Sequence, residues 1–404
     1  MDDRRYYGLD ALRGGMMMLG IVLHSATLYL ASPPPHIPLT TDRNNSYLMD
    51  LLFDFIHSVR MPTFFVLAGF FASLLVEKRG LWGTYKNRVA RIVGPLVASM
   101  FTVLPLTMLF MVDFMLSVKY GTHDILPSRE DLAKVERVAR AQGIPDGFFL
   151  GHLWFLYYLC YFYLLIPLCR LIVKWFLPIQ GGVNKLLASP LALVFFALYT
   201  AATLWPYPGA QVFGEFLFLK PHPPSLLFYG SFFVFGYVFH FYRGFLQGLA
   251  RYVPWCAALA LILFPLSIYA SHLEYADAAH SFGTHLAAVI THGFCTWTLI
   301  YLAIGCALRF FDYESPWILY TSQSSYWVFL LHMPVVCLVA WWLVPYDLPA
   351  IFKFFLVGGV TTVVCFTTYH YWVRKTWVSV FLNGRRFDLD WPWRNAAADV
   401  KAPA

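Results

Sequence analysis

The first apolar stretch of the chain places Arg13 and His24 eleven residues apart, with Asp10 just upstream. At about 100° per residue, eleven steps return a helical side chain to within roughly 20° of its starting direction. Arg13 and His24 then share one helix face about 16 Å apart, and Asp10 lies within about 60° of it. Ionisable groups are costly in a bilayer and usually face a protein interior or a wet cavity, so this stripe is a candidate site. The plainer alternative is a snorkelling Arg13 at the membrane edge and a packing histidine. A second stretch holds Asp54, His57 and Arg60 at intervals of three, ahead of Pro62. That spacing makes them neighbours on a helix, and the proline is expected to kink it and free backbone groups to line a cavity. An ion-pair network is the structural alternative here. His152 with Trp154, and His332 ahead of Pro334, lie in later apolar stretches. With helices alternating in direction, His24, His57, His152 and His332 come to similar depth near one surface.

At the opposite surface gather Asp10, Arg13, Tyr85, Lys86, Arg88 and Arg91. They form either a cationic mouth for a phosphate-bearing ligand or ordinary positive-inside charge. Two clusters joined by one helix face suit a long thin ligand with an anionic end. Coenzyme A has that shape, its nucleotide near Arg13, Arg88 and Arg91 and its thioester at His24. A histidine there is a natural general base for an acceptor hydroxyl, with a nearby donor for the oxyanion.

The elements that must position these groups follow from composition. The 404 residues are 59% hydrophobic and 13% charged, with a mean hydropathy of +0.59, against about 25% charged in a soluble domain. The expected fold is an all-α polytopic membrane protein of about ten transmembrane helices. The spans are read at 8–31, 50–76, 92–118, 148–177, 187–206, 223–242, 252–271, 284–311, 317–344 and 349–377. Lys78, Arg79, Lys86, Arg88, Arg91, Arg170, Lys174, Lys185, Arg243, Arg251, Arg309, Arg374, Lys375, Arg385 and Arg386 then fall on one side. The link 272–283 has no Lys or Arg. That asymmetry places both termini in the cytoplasm.

Residues 1–380 are expected to be one ten-helix domain and 381–404 a short cytoplasmic tail. Asp10 and Arg13 interrupt the first apolar run, which reads as a retained helix rather than a signal peptide. In the link 119–147, Ser128 and Asp131 resemble a capping box opening a connector helix. The seven cysteines lie in apolar stretches with no metal-ligand spacing and read as buried small hydrophobes. No metal site is expected. No clustered basic face with aromatics points to a nucleic-acid partner. No internal repeat is visible, which weighs against an inverted-repeat transporter.

The same residues resemble a known family. Leu9-Asp-Ala-Leu-Arg13-Gly through His24 is similar to the Arg-(ten residues)-His signature of the integral-membrane acyltransferase-3 family. Asp54-Phe-Ile-His57-Ser-Val-Arg60-Met61, followed by Phe64-Phe-Val and Ala68-Gly69-Phe-Phe, resembles the second helix of its glucan succinyltransferase branch. Arg88 and Arg91 followed by Pro95, His152-Leu-Trp154-Phe-Leu156, Phe228-Tyr with Phe232-Phe-Val-Phe-Gly236, and Leu331-His332-Met-Pro334 extend the likeness along the chain. The family often spaces its two arginines before the third helix by three residues; here two residues separate Arg88 and Arg91. No esterase-like domain is expected after the tenth helix, which makes transfer within one chain the simpler scheme.

The resemblance implies transfer of an acyl group from cytoplasmic acyl-CoA to an extracytoplasmic acceptor. His24 matches the presumed catalytic histidine and Arg13 the donor-site arginine. The branch implies a succinyl donor, succinyl-CoA rather than acetyl-CoA, and a periplasmic glucan acceptor, in a bacterial inner membrane. No permanently bound cofactor is expected.

The resulting expectation assigns His24, Asp54, His57 and Arg60 to catalysis. Arg13, Asp10, Arg88 and Arg91 go to the donor, and His152, Trp154 and His332 to the substrate. Asp54 would orient or charge-balance His57 or His24. Arg60 would serve the oxyanion or, like His57, a donor carboxylate. The rivals are a glycan or lipid transporter or flippase using the same polar core, and a structural membrane subunit.

Overall fold

A computed structural model describes residues 6–33, 40–141, 148–187, 189–212, 217–277 and 281–392. Among them the regular structure is helical, with two isolated β-bridges, Leu30–Ser46 and Phe149–Phe218. The helices are α1 (Tyr7–Thr27), α2 (Tyr47–Arg88), α3 (Gly94–Phe101), α4 (Val103–Tyr120), α5 (Arg129–Ala141), α6 (Trp154–Leu164), α7 (Ile166–Phe176) and α8 (Gln180–Leu187). They continue as α9 (Pro190–Leu204), α10 (Pro223–Phe239), α11 (Arg243–Ala276), α12 (Phe282–Phe310), α13 (Pro316–Leu343), α14 (Ala350–Thr368) and α15 (Trp377–Asn383).

Each expected span overlaps one or more of these helices. Among the described residues, six helical stretches are long and apolar enough to cross a bilayer, and eight if the bent pairs α6–α7 and α8–α9 each count as one. That is fewer than the ten expected. The difference lies in α10, apolar but 17 residues long, and in α1, whose 21 residues include Asp10, Arg13 and His24. The long apolar helices and their packing make this an all-α multi-pass membrane protein.

Pro62 was expected to kink the second span. It is buried within a continuing helix, and the break in α2 comes instead at Gly80, whose φ of 69° is open to glycine. Past the break, a π turn at Val89–Val93 joins α2 to α3. The expected connector helix is α5, and its capping box is reciprocal. Ser128 Oγ accepts from the Asp131 N–H at 3.1 Å, and Asp131 Oδ2 accepts from the Ser128 N–H at 3.1 Å.

α1 lies between α2 and α13. α2 also crosses α10 closely. A Cβ at Gly69 would sit 1.9 Å from the Phe233 carbonyl oxygen, and one at Gly236 would sit 1.9 Å from the Val66 oxygen. Small residues at such crossings let helix backbones meet where lipid gives no hydrophobic drive. Behind this crossing Trp297 of α12 is enclosed by Phe196, Phe232 and Phe235, with ring centroids 4.5, 5.4 and 5.6 Å away. Its indole N–H donates to Thr200 Oγ1 at 2.8 Å. The seven cysteines are free thiols, five of them buried.

The α1–α2 connection is tied down at its far end. Asp42 N–H donates to the Leu28 carbonyl at 2.8 Å, and the Lys353 ammonium meets Asp42 Oδ2 at 2.9 Å, both side chains fully buried. Asp50 accepts the N–H groups of Ala31 and Ser32 at 3.2 and 3.1 Å. These bonds fix the end of α1 that carries His24.

Candidate active site

Three spaces follow one another along α1 and α2. A basic chamber of about 680 Å³ is lined by Arg13 and Met17 of α1, by a stripe of α2 from Phe64 to Arg79, by Arg88 and Arg91, and by parts of α6, α13 and the C-terminal segment. A narrow cavity of about 20 Å³ is lined by Met17, His24, Arg60, Met61, Phe64, His152, Trp154, Phe155, Phe329 and His332. That is room for about one water. Met17, Phe64, Phe155 and Phe329 line both, so the cavity and the chamber adjoin across an apolar collar. A third pocket of about 470 Å³ holds Tyr47, Asp50, Asp54, Gln211, His272 and Tyr275. Asp54 and Arg79 are 25 residues apart on α2, about 37 Å at helical rise, so this pocket and the chamber lie at opposite ends of the protein.

Helical periodicity builds the lining. On α1, Arg13, Met17 and His24 fall on one stripe, as the eleven-residue spacing implies. On α2, Arg60, Phe64, Leu67, Phe71, Leu75 and Arg79 recur at three or four residues. Arg60 is 5% exposed and crosses to α1, donating from Nε to the Met16 carbonyl at 3.1 Å. Only the missing side chain of Gly20 admits it, since a Cβ there would lie 2.4 Å from Arg60 Nη2.

Three of the four expected histidines meet. The His24 and His332 rings are 5.2 Å apart between centroids, and those of His152 and His332 are 5.5 Å apart. Both hydrogen-bonded rings face carbonyls, which only accept, and this fixes their tautomers. His332 donates from Nδ1 to the carbonyls of Val328 and Phe329 at 3.0 and 2.8 Å. His152 donates from Nε2 to the Leu330 carbonyl at 3.2 Å. His332 Nε2 and His152 Nδ1 are therefore bare lone pairs, buried and without a partner among the described residues. The His24 ring makes no hydrogen bond among those residues, which leaves it open to a ligand. Trp154 walls the cavity with its ring 5.1 Å from Tyr229.

His57 and Asp54 depart from the expected arrangement. His57 does not line the cavity; its ring stacks on Phe53 at 5.4 Å and is hydrogen-bonded to the Val212 backbone. Asp54 orients neither His57 nor His24. It opens into the outer pocket, where Gln211 Nε2 donates to it at 3.4 Å. The reason is angular: three residues turn a helix by about 300°, so Asp54, His57 and Arg60 fan successively around α2.

At the chamber, Arg13 is held by Asp10 at 3.1 Å and by the Ser322 hydroxyl. Asp10 acts through that pair and does not line the chamber. Arg88 and Arg91 both line it despite their two-residue separation, Arg88 over the Tyr163 ring at 5.3 Å. Lys86, expected at this mouth, lies over Trp82 instead, 5.5 Å from the ring centre. Arg79 and Arg385 join the lining, and among the described residues no Asp or Glu does. Both had been counted only as topology charges. The left-handed glycines beside them, Gly80 and Gly384, are the sequence signal for chain reversals that bring each back to the bundle.

With this geometry in place, comparison with known proteins is informative. Residues 6–370 match the family described as Acyltransferase domain. The chain is 25% identical over 356 residues to the glucans biosynthesis protein C of Escherichia coli K12, covering 85% of each chain. The proteins of that name from E. coli O1:K1 and O157:H7 match at the same identity and coverage. No solved structure matches the chain.

Proposed function

The chain belongs to this acyltransferase family, and from that premise we propose that it transfers an acyl group from cytoplasmic acyl-CoA to a glucan hydroxyl across the bacterial inner membrane. The observation that carries the reading is that an arginine chamber, with no carboxylate among its described lining residues, adjoins a histidine cavity across one apolar collar. The chamber takes the phosphates, the collar the thin pantetheine arm and the cavity the thioester. The outer pocket, with its carboxylate, amide and tyrosines, receives the acceptor sugar. The excess of Lys and Arg on the chamber side supports a cytoplasmic chamber and cytoplasmic termini.

In the reaction His24 removes the proton from the acceptor hydroxyl as its oxygen attacks the thioester carbonyl. The Arg60 guanidinium faces the oxyanion that forms. Collapse breaks the carbon–sulfur bond, the His24 proton passes to the departing thiolate, and an ester and free coenzyme A result. His152, His332 and Trp154 hold the acyl group. The Nη groups of Arg60 make no hydrogen bond among the described residues. They can pair with the free carboxylate of a succinyl group, which favours succinyl over acetyl as donor.

The test is turnover of succinyl-CoA and acetyl-CoA by the purified protein in nanodiscs, with and without a β-glucan, in wild type and His24→Ala. Succinyl transfer that is lost in the folded variant is expected. Full activity in His24→Ala sinks the assignment of the base. Neither binding nor turnover of either thioester sinks the transferase reading and leaves transport.

A further inference from the structure

The chamber has a wall that comes from the C-terminal segment, and this wall brings its own cation. α15 ends at Gly384, where φ is 90°. Arg91 grips that end through the carbonyls of Val380 and Phe381, the latter at 3.1 Å. A cation at a helix C-terminus is favourably placed. A Cβ at Gly384 would sit 2.5 Å from Arg91 Nη2, so the grip needs glycine.

Beyond Gly384 the chain stays docked. Ser379 Oγ donates to the Arg385 carbonyl at 2.8 Å, the Phe387 N–H donates to the Arg374 carbonyl at 3.0 Å, and Trp391 stacks 3.6 Å from His370. Residues 381–391 are thus packed onto the bundle rather than forming a free tail. Arg385 lines the chamber over the Phe387 ring at 4.8 Å, with no carboxylate or side-chain hydrogen bond among the described residues. Asn383 lines it too, and its buried Nδ2 has no partner among those residues.

We propose that Arg385 and Asn383 bind the phosphates at the nucleotide end of the donor, so that the C-terminal segment is part of the donor site. This rests on the acyl-CoA reading above. The division of labour follows from position. Arg13 is taken up by Asp10 and Ser322 and shares the His24 face of α1, so it meets the donor near the reacting end. Arg385 stands in the same space without a counter-charge, facing Arg79 and Arg88, which also lack a carboxylate partner among the described residues. Several guanidiniums and a free amide around one space suit a cluster of phosphates better than a lone carboxylate.

The shared chemistry is phosphate, and an anionic lipid headgroup is its other source. The experiment therefore measures turnover of acyl-CoA and of the matching acyl-pantetheine, which lacks the nucleotide, in nanodiscs of phosphatidylcholine with and without phosphatidylglycerol. Arg385→Ala is expected to raise KM for acyl-CoA about 10- to 50-fold at nearly constant kcat, and Asn383→Ala about 3- to 10-fold. Both leave acyl-pantetheine kinetics unchanged, and Arg385→Lys restores part of the loss. Arg386→Ala, outside the chamber lining, serves as the surface control.

Equal losses with both donors would mean that the segment only supports the fold, and would overturn the proposal. An unchanged acyl-CoA KM, with loss only of a phosphatidylglycerol-dependent thermal shift, would assign the cation to lipid and overturn it as well. Calorimetric binding of coenzyme A separates this proposal from the reading beneath it. Binding by wild type that weakens in Arg385→Ala supports the site even without turnover. Wild type that binds no coenzyme A removes both.

Discussion

Gly20→Ala asks whether Arg60 works from the position it holds. Arg60 donates from Nε to the Met16 carbonyl at 3.1 Å and rests against the bare Cα of Gly20. An added methyl would stand 2.4 Å from Nη2, where ordinary contact begins at 3.4 Å, so the guanidinium must retreat by the difference, about 1 Å. Stability is not the main casualty. Alanine favours a helix over glycine by about 1 kcal/mol, and overpacking costs roughly 1–3 kcal/mol, so the net cost is about 0–2 kcal/mol. Rate is the sensitive quantity, because a misplacement of about 1 Å at a reacting centre costs about 100-fold.

The variant is therefore expected to fold and to bind acetyl-CoA, which has no carboxylate for Arg60, as wild type does, with kcat for glucan acylation down about 10- to 100-fold. The matched control is Gly15→Ala on the same helix, where an added Cβ has nothing within 4 Å. Single-turnover acyl transfer in nanodiscs, beside thermal unfolding, reads both quantities. Wild-type turnover in Gly20→Ala would show that Arg60 does not act from this cavity, and the oxyanion assignment would fall with it.

Three further outcomes concern the scaffold. Lys353→Met leaves Asp42 buried without its cation and should cost about 3–5 kcal/mol, much of it regained by adding Asp42→Leu; an unchanged melting temperature in the single variant contradicts this. Gly236→Ala sets a methyl 1.9 Å from the Val66 carbonyl oxygen, a backbone atom that cannot step aside, and should abolish monodisperse protein on size exclusion; normal elution would show that the α2–α10 crossing yields. At α5, the Ser128 hydroxyl, Lys134 and the Ser128 N–H hold the Asp131 carboxyl down at about 2 from its ordinary 3.8. A depressed carboxyl supports the fold fully above its unfolded value and loses that support as pH falls through about 2. Amide protection in α5, taken relative to the intrinsic exchange rate at each pH, should therefore fall from about pH 4 to about pH 2 in wild type and stay level there in Asp131→Asn; equal pH dependence in the two would refute the capping assignment.

The site was legible in sequence wherever a single helix decides the geometry. Arg13, Met17 and His24 fall on one stripe because α1 is regular, and the convergence of His24 with His332 follows from the parallel course of α1 and α13, which also pairs Arg13 with Ser322. Legibility ended where the outcome depends on rotation about a helix or on a long-range return of the chain. Spacing of three was read as adjacency for Asp54, His57 and Arg60, yet cumulative rotation sends Asp54 to the outer pocket, His57 to Val212 and Arg60 to the cavity. The role of Pro62 was misplaced because a proline inside a buried helix can be absorbed by its neighbours, whereas a glycine at φ 69° changes the chain direction outright. Arg385 was missed because Gly384 beside it announces a turn but not where the turn leads; the anchors that dock residues 381–391, Arg91 and His370, lie outside the segment.

The proportions of the three spaces also bear on the rival in which the same polar core conducts a glycan or a lipid. A translocation path must pass the whole cargo, and polar side chains in transporters line a cavity wide enough to carry it. Here the two wide spaces are separated at the histidines by a cavity of about 20 Å³ and an apolar collar of Met17, Phe64, Phe155 and Phe329. A sugar ring passes only if the whole collar parts, while an extended thioester arm, being thin, needs a much smaller displacement of the same side chains. The ends differ in character as well: arginines without lining carboxylates on one side, and Asp50 and Asp54 with tyrosines on the other. A conduit for one cargo has no need of opposite chemistries at its two mouths. Two different substrates that meet at a shared reacting centre do, and the crossing of Arg60 over Gly20 sets a buried cation at that centre.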